Sequence, residues 1–171
     1  MIQGKSNIVL IGMAGCGKSS VGKLLAGKLN MSFVDTDELI VASQCRSLQQ
    51  IMDSEGSEEF RRIEEEVLLN VNVRNHVIAT GGSSIYSSKG IEHLKESGVI
   101  ILLQTDLEVL KKRVGDTSGR GLVMSTEQSF EDLYEERRLL YECSSEIIIE
   151  CSSLSLEEVC DTIICHNRNP I

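Results

Sequence analysis

The chain is poor in cationic side chains, histidine, proline and long apolar runs. Lysine and arginine total 17 against 26 aspartates and glutamates, a formal net charge of −9. That deficit argues against a duplex nucleic-acid partner, which needs a broad cationic face for its phosphates. A small anionic ligand held by a few focused basic groups is still compatible with it. No apolar run reaches the roughly 18 residues of a membrane span, so no membrane partner is expected. The opening Met1-Ile2-Gln3-Gly4-Lys5 lacks the charged, apolar and cleavage regions of a signal peptide. Cys16, Cys45, Cys143, Cys151, Cys160 and Cys165 form no CxxC pair, and there are only 3 histidines. Neither a zinc site nor a disulfide framework is signalled, and reduced thiols in a cytoplasmic compartment are the expectation. The single proline, Pro170, lies in the tail, and neither repeats nor coiled-coil heptads appear. With 171 residues, 41% of them hydrophobic, the chain reads as one domain over 1–171, expected to be a monomer.

Strand-like and helical segments alternate along the chain. Asn7 to Ile11 is a short apolar run ended by Gly12, as in a buried parallel strand. Ser19 to Leu29 carries Val21, Leu24, Leu25 and Leu29 at helical spacing. Met31 to Val34 reads as a second strand, and Glu38 to Val71 as helical with its break at Gly56. Val77 to Ala79 and Val99 to Leu103 are further strands, with a short helix from Gly90 to Ser97 between them. Asp106 to Arg113, Ser129 to Glu142 and Ser155 to Cys165 read as helices, and Ile147 to Ile149 as the fifth strand. Ser155 with Glu158 forms a capping box. The polar, glycine-rich run Gly115 to Gly121 has the composition of a mobile lid. This alternation implies an α/β fold with a parallel sheet covered on both faces.

Gly12-Met13-Ala14-Gly15-Cys16-Gly17-Lys18-Ser19 matches GxxxxGK[ST] in full, between a predicted strand and a predicted helix. Glycines permit the backbone angles and close approach that let successive N–H groups and the helix N-terminus cradle phosphates. Lys18 is placed to reach the β- and γ-phosphates of ATP, and the Ser19 hydroxyl is the expected Mg²⁺ ligand. Ser20 completes the nucleotide-binding set and supports the helix start. Helix amides and Lys18 both favour a thiolate at Cys16, although a loop-filling residue is the plainer reading.

A phosphate loop does not say what receives the phosphoryl group. Asp35 and Asp37, two apart at a strand end, point differently: one to the metal's water shell, the other to an acceptor hydroxyl. Arg61 offers a fork of donors to an anionic substrate, and Gly81-Gly82 suits close packing against a ligand. Together, Gly12 to Ser19, Phe33-Val34-Asp35-Thr36-Asp37, Glu59-Phe60-Arg61-Arg62-Ile63-Glu64 and Thr80-Gly81-Gly82 resemble the shikimate kinase family. That family belongs to the nucleoside-monophosphate-kinase-like branch of phosphate-loop proteins.

The resemblance implies a three-layer P-loop NTPase fold. Its five-stranded parallel sheet has the order 2-3-1-4-5, with helices on both faces and a lid. It implies an acceptor-binding region at 36–70 and a lid at 114–127. By position, Asp35 would assist Mg²⁺ through water and Asp37 would bind and activate the attacked hydroxyl. Arg61 would hold a substrate carboxylate, oriented by Glu64 one helical turn away. Gly81, Gly82 and Ser83 would form a wall of the acceptor pocket, Ser83 standing where the family has a third glycine. Arg113 resembles the family's adenine-stacking arginine, Arg120 its lid arginine, and Arg137 an arginine of the nucleotide side. The implied reaction is ATP-dependent phosphorylation of a small polyhydroxylated metabolite, shikimate to shikimate 3-phosphate, with the catalytic roles on Lys18, Asp37 and Arg120. Two departures stand out besides Ser83. The lid reads Arg120-Gly121-Leu122, and Leu139-Leu140-Tyr141-Glu142 places Glu142 where the family's carboxylate-gripping arginine is expected. They keep two alternatives open: a kinase for a different small acceptor, and a nucleotide-binding regulatory protein without kinase activity.

Overall fold

The fold is described from a computed structural model, over residues 5–114 and 128–168. Five parallel strands are ordered β2-β3-β1-β4-β5: β1 Asn7–Ile11, β2 Ser32–Asp35, β3 His76–Ala79, β4 Gly98–Gln104 and β5 Ile147–Glu150. Between and after them run α1 Lys18–Leu29, α2 Thr36–Gln44, α3 Leu48–Leu69, α4 Ser88–Ser97, α5 Leu107–Val114, α6 Phe130–Ser144 and α7 Leu156–Arg168. All five predicted strands are present, in the order the resemblance implied. β1 and β4 lie at the centre in register from Asn7↔Gly98 to Ile11↔Leu102. Their side chains are buried on both faces, which is why they read as unbroken apolar runs. The flanking helices pack in pairs, α1 with α7 and α3 with α4. Among the described residues no helix is long and apolar enough to cross a membrane.

The stretch after Asp37 departs from expectation. The sequence pattern predicts one helical segment broken at Gly56, whereas the full break lies earlier, at Cys45–Ser47. Cys45 ends α2 in the left-handed region at φ 52°, and Ser47 starts α3 with a capping box to Gln50. Gly56, at φ 81°, only kinks α3. These helices enclose a second small core of Ile40, Ile51, Phe60 and Ile63. A 3₁₀ turn at Ser84–Tyr86, too short to leave a periodic signal, follows β3. The capping box at Ser155 and Glu158 forms as read, with the Ser155 amide donating to the carboxylate at 2.8 Å.

One buried polar group ties the N-terminal edge of the sheet. Asn7, 2% exposed, donates its amide to Val73 O at 2.7 Å and to Ser97 Oγ at 3.1 Å, and accepts from His76 N at 3.0 Å. Removing it leaves the Val73 carbonyl and the His76 amide without this partner, at about 1–3 kcal/mol each when buried. Asn7→Ala is therefore expected to lower unfolding free energy by about 2–4 kcal/mol in urea titrations. Nucleotide affinity, set at the opposite end of the sheet, is expected to stay the same.

Candidate phosphoryl-transfer site

The loop after β1 takes its shape from glycines. Gly12 sits at φ 141°, and a Cβ there would meet Leu103 O at 2.8 Å and Cys16 Sγ at 3.0 Å, so only glycine fits. Gly15 and Gly17 are also left-handed, at φ 83° and 103°. The loop amides therefore precede α1 as a concave turn, the geometry that binds anions. Lys18 is buried, its ammonium donating to Gly12 O at 2.6 Å and Met13 O at 2.9 Å, with Cys16 Sγ 3.7 Å away. Ala14, Gly15, Gly17, Lys18, Ser19 and Ser20 line a cavity of about 350 Å³, which Asp37, Thr80, Gly82 and Arg113 complete. Gly12 and Cys16 do not line it.

Asp35 ends β2 and caps α2. Its Oδ2 accepts from the Ser19 hydroxyl at 2.6 Å, and its Oδ1 from the Asp37 amide at 3.0 Å. One hydroxyl and one carboxylate, both hard oxygen donors beside a phosphate cradle, fit the donor set of Mg²⁺, which keeps water and phosphate oxygens as its other ligands. Asp37 faces the cavity. Burial, then the neighbouring charge of Asp35, pushes its carboxyl up to about 6, while Lys18 pulls it down.

Gly81 explains the glycine pair after β3. Its amide donates to Thr36 Oγ1 at 3.1 Å, and a Cβ there would collide with Glu64 Oε1 and Asp37 Oδ1. The two carboxyl oxygens converge on the space its missing side chain leaves. Glu64 is 1% exposed, and its Oε1 has no hydrogen-bond partner. The expected Glu64–Arg61 pairing along α3 is replaced by another arrangement. Arg61, on the exposed side of α3, stacks its guanidinium 4.0 Å from the Tyr86 ring centroid. Arg137 lies 5.1 Å from the same ring, 1% exposed, its Nε donating to Tyr86 Oη at 3.3 Å. Tyr86 donates in turn to Glu136 at 2.7 Å.

Arg137 lies close to the second glycine of that pair. Its Nη1 would lie 3.2 Å from a Cβ at Gly82, and Tyr141, one turn on, donates to Gly82 O at 2.6 Å. It stands on the Gly82 wall, within reach of the Tyr86 that carries Arg61. Glu142 is turned elsewhere: its carboxylate accepts from Arg138 Nη1 at 3.0 Å, and Arg138 also bonds Glu135 at 3.2 Å. The charge reversal is therefore absorbed in a half-buried helical pair. The Tyr86 bracket left no motif in the sequence, though the i, i+4 spacing of Arg137 and Tyr141 placed them on one face. Ser83 is buried behind the wall, next to Glu64. Arg113 lies on the exposed side of α5 at the cavity mouth. Arg120 and the rest of the predicted lid, 115–127, lie outside the described residues.

The comparisons agree with this geometry. A family model described as shikimate kinase matches residues 14–167. A shikimate kinase of Caldanaerobacter subterraneus subsp. tengcongensis is 37% identical over 161 residues, 92% of this chain and 94% of that protein. One from Thermodesulfovibrio yellowstonii is 39% identical over 161 residues, 92% of each chain. Among solved structures, shikimate kinase from Acinetobacter baumannii in complex with shikimate superposes with a TM-score of 0.88 at 29% identity. The match covers 98% of this chain and 96% of that one. Shikimate kinase from Aquifex aeolicus gives a TM-score of 0.82 at 32% identity, over 95% and 96% of the two chains.

Burial divides the six thiols into two sets. Cys45, Cys143 and Cys165 are exposed, whereas Cys16, Cys151 and Cys160 are buried. Burial also pushes the Cys151 thiol up to about 12, far from its reactive form. A thiol reagent applied to the folded chain is expected to label the first three rapidly. The other three should react at least about 10-fold more slowly until denaturant is added. Peptide mass spectrometry over a time course measures the order.

Proposed function

The chain belongs to the shikimate kinase family, and on that footing we propose that it transfers the γ-phosphoryl group of ATP to a hydroxyl of shikimate, giving shikimate 3-phosphate and ADP. The observation that carries this reading is the placement of Asp37 and Gly82 in the cavity of the phosphate loop, beside an Arg61–Tyr86–Arg137 bracket. Such a bracket suits an acceptor that carries a carboxylate as well as hydroxyls. The solved relative of Acinetobacter baumannii, held in complex with shikimate, supports the same acceptor.

In this reading the loop amides and Lys18 hold the β- and γ-phosphates. Bound Mg²⁺, held by Ser19 and through water by Asp35, would neutralise charge between them. Asp37 orients the attacked hydroxyl and takes its proton as the new O–P bond forms and the bridging P–O bond breaks, the electron pair leaving with ADP. Arg61 and Arg137 fix the acceptor's carboxylate, and Gly81 and Gly82 let it approach the strand ends. Arg113 stacks on the adenine, and Arg120 meets the transferring group when the 114–127 lid closes. Region 36–70, with its own small core, forms the acceptor-binding part of a single domain over 1–171. A monomer working in the cytoplasm completes the reading. Positioning and charge stabilisation supply the catalysis, with no covalent intermediate.

Coupled ADP release with Mg²⁺-ATP is expected to require shikimate, and a panel of other small hydroxylated acceptors is expected to give less turnover. Asp37→Asn and Lys18→Ala should each lower kcat/KM by about 10²–10⁴-fold. Arg61→Ala and Arg137→Ala should raise the acceptor KM by about 10–100-fold with a smaller change in kcat. Glu142→Ala, which breaks a half-buried pair turned away from the Gly82 wall, should leave that KM within about twofold. Turnover with another panel member and none with shikimate would reassign the acceptor. Tight ATP binding with no acceptor-dependent turnover would instead mark a nucleotide-binding protein.

A further inference from the structure

Arg61 projects from the exposed side of α3, yet among the described residues its guanidinium makes no hydrogen bond or ion pair. Glu64 and Glu136 attract it without bonding it. What holds it is the ring of Tyr86, with Cζ 4.0 Å from the centroid. A guanidinium carries all of its N–H groups in its own plane. Stacking on a ring therefore fixes the group and uses none of those donors, whereas an ion pair with Glu64 would occupy the fork.

Tyr86 is itself fixed. It ends the 3₁₀ turn Ser84–Tyr86, which lies against both α3 and α6. Ser84, fully buried, donates its hydroxyl to Gly81 O at 2.7 Å, and the Tyr86 amide donates to Ser83 O at 3.0 Å. The turn is thereby registered to the glycine wall. The Tyr86 hydroxyl donates to Glu136 Oε1 at 2.7 Å and accepts from Arg137 Nε at 3.3 Å. Glu136 Oε2 in turn accepts from Gln128 Nε2 at 2.6 Å. One phenol thus carries Arg61 on its ring and Arg137 at its hydroxyl, while Glu136 offsets part of the charge of the two cations.

We propose that Tyr86 is the positioning residue that sets acceptor specificity: its ring presents the Arg61 guanidinium, donors unoccupied, to the acceptor's carboxylate, and its hydroxyl fixes Arg137 beside it. This role rests on the acceptor reading given above. Two arginines placed by one anchored side chain keep a set spacing. That spacing favours a planar anion within reach of both over a neutral group of the same shape. Tyr86 acts through the arginines and touches no reacting atom.

Side-chain NMR and kinetics on the full chain test this. The Arg61 Nε–H resonance is expected upfield of its position in Tyr86→Leu, because an aromatic ring shields protons held over its face. Tyr86→Phe, which keeps the ring, should keep the shift, and so should the parent with shikimate bound. In coupled ADP release, Tyr86→Leu should raise the shikimate KM about 10-fold with kcat within about threefold and the KM for ATP unchanged. Tyr86→Phe, which removes only the hydroxyl, should raise it about threefold. The parent's preference for shikimate over its carboxamide, taken as the ratio of kcat/KM values, should shrink about 10-fold in Tyr86→Leu. A merely structural role would lower turnover of both acceptors alike and leave that ratio in place.

An Arg61 resonance unshifted by the ring, an unchanged preference in Tyr86→Leu, or a Tyr86→Phe as damaging as Tyr86→Leu would overturn the proposal. Should Tyr86→Leu fail to fold, the Arg61 shift in the parent, set against its other arginines, and the size of the Tyr86→Phe effect decide. A ring-shifted Arg61 in a chain that phosphorylates a different carboxylate-bearing acceptor would sink the shikimate assignment and support the Tyr86 role. Turnover confined to acceptors without a carboxylate, or none at all, would overturn both.

Discussion

Everything at this site is referenced to the carboxylate of Asp35. One oxygen accepts the Ser19 hydroxyl at 2.6 Å and the other the Asp37 amide at 3.0 Å. The first bond joins β2 to the phosphate loop; the second caps α2 and fixes where Asp37 begins. Between these aspartates, Thr36 accepts the Gly81 amide and draws β3 into the same junction. Three consecutive residues thus look toward three partners: the loop, the neighbouring strand and the cavity. Phosphoryl transfer depends on the registration of donor and acceptor more than on any single reactive group. Here that registration is carried by one side chain at a strand end.

The sheet order explains why these ends meet. β1 and β3 are neighbours, yet the chain leaves β1 toward β2 on one side and β3 toward β4 on the other. Connections that diverge from adjacent strands open a crevice at their C-terminal ends, the place where open α/β sheets bind ligands. The phosphate loop follows β1 and Gly81 follows β3, so both walls come from the same divergence. The cost falls on charge. Lys18, Asp35, Glu64 and Arg137 are all buried there, which stabilises the fold only while each has a partner of opposite sign or a hydrogen bond.

The strands and the phosphate loop were legible in the sequence, because buried parallel strands and glycine turns leave local signatures, whereas the sheet order came only with the family resemblance. The sequence also placed Asp35, Asp37 and the Gly81–Gly82 pair, whose spacing at strand ends has few uses. What it lost were contacts between elements distant in the chain. Tyr86 is one of three tyrosines with no motif around it, and only folding brings it against Arg61 and Arg137. The break between α2 and α3 was written locally, in Ser47 and Gln50. Gly56, nine residues further on, bends the helix without ending it.

Glu142 shows how a reversal of charge in an aligned string can mislead. Residues four apart share a helix face, so Arg137 and Tyr141 present one face and Arg138 and Glu142 the next. The first face meets Gly82, and the second forms a half-buried ion pair. A position one residue along is about a quarter-turn away on the helix, enough to exchange the acceptor wall for solvent. The same reasoning applies in reverse to Ser83. It sits within the glycine run, where a side chain would be expected to intrude on the pocket, yet it is turned inward and buried against Glu64. One departure turns its side chain away from the Gly82 wall. The other is buried behind that wall.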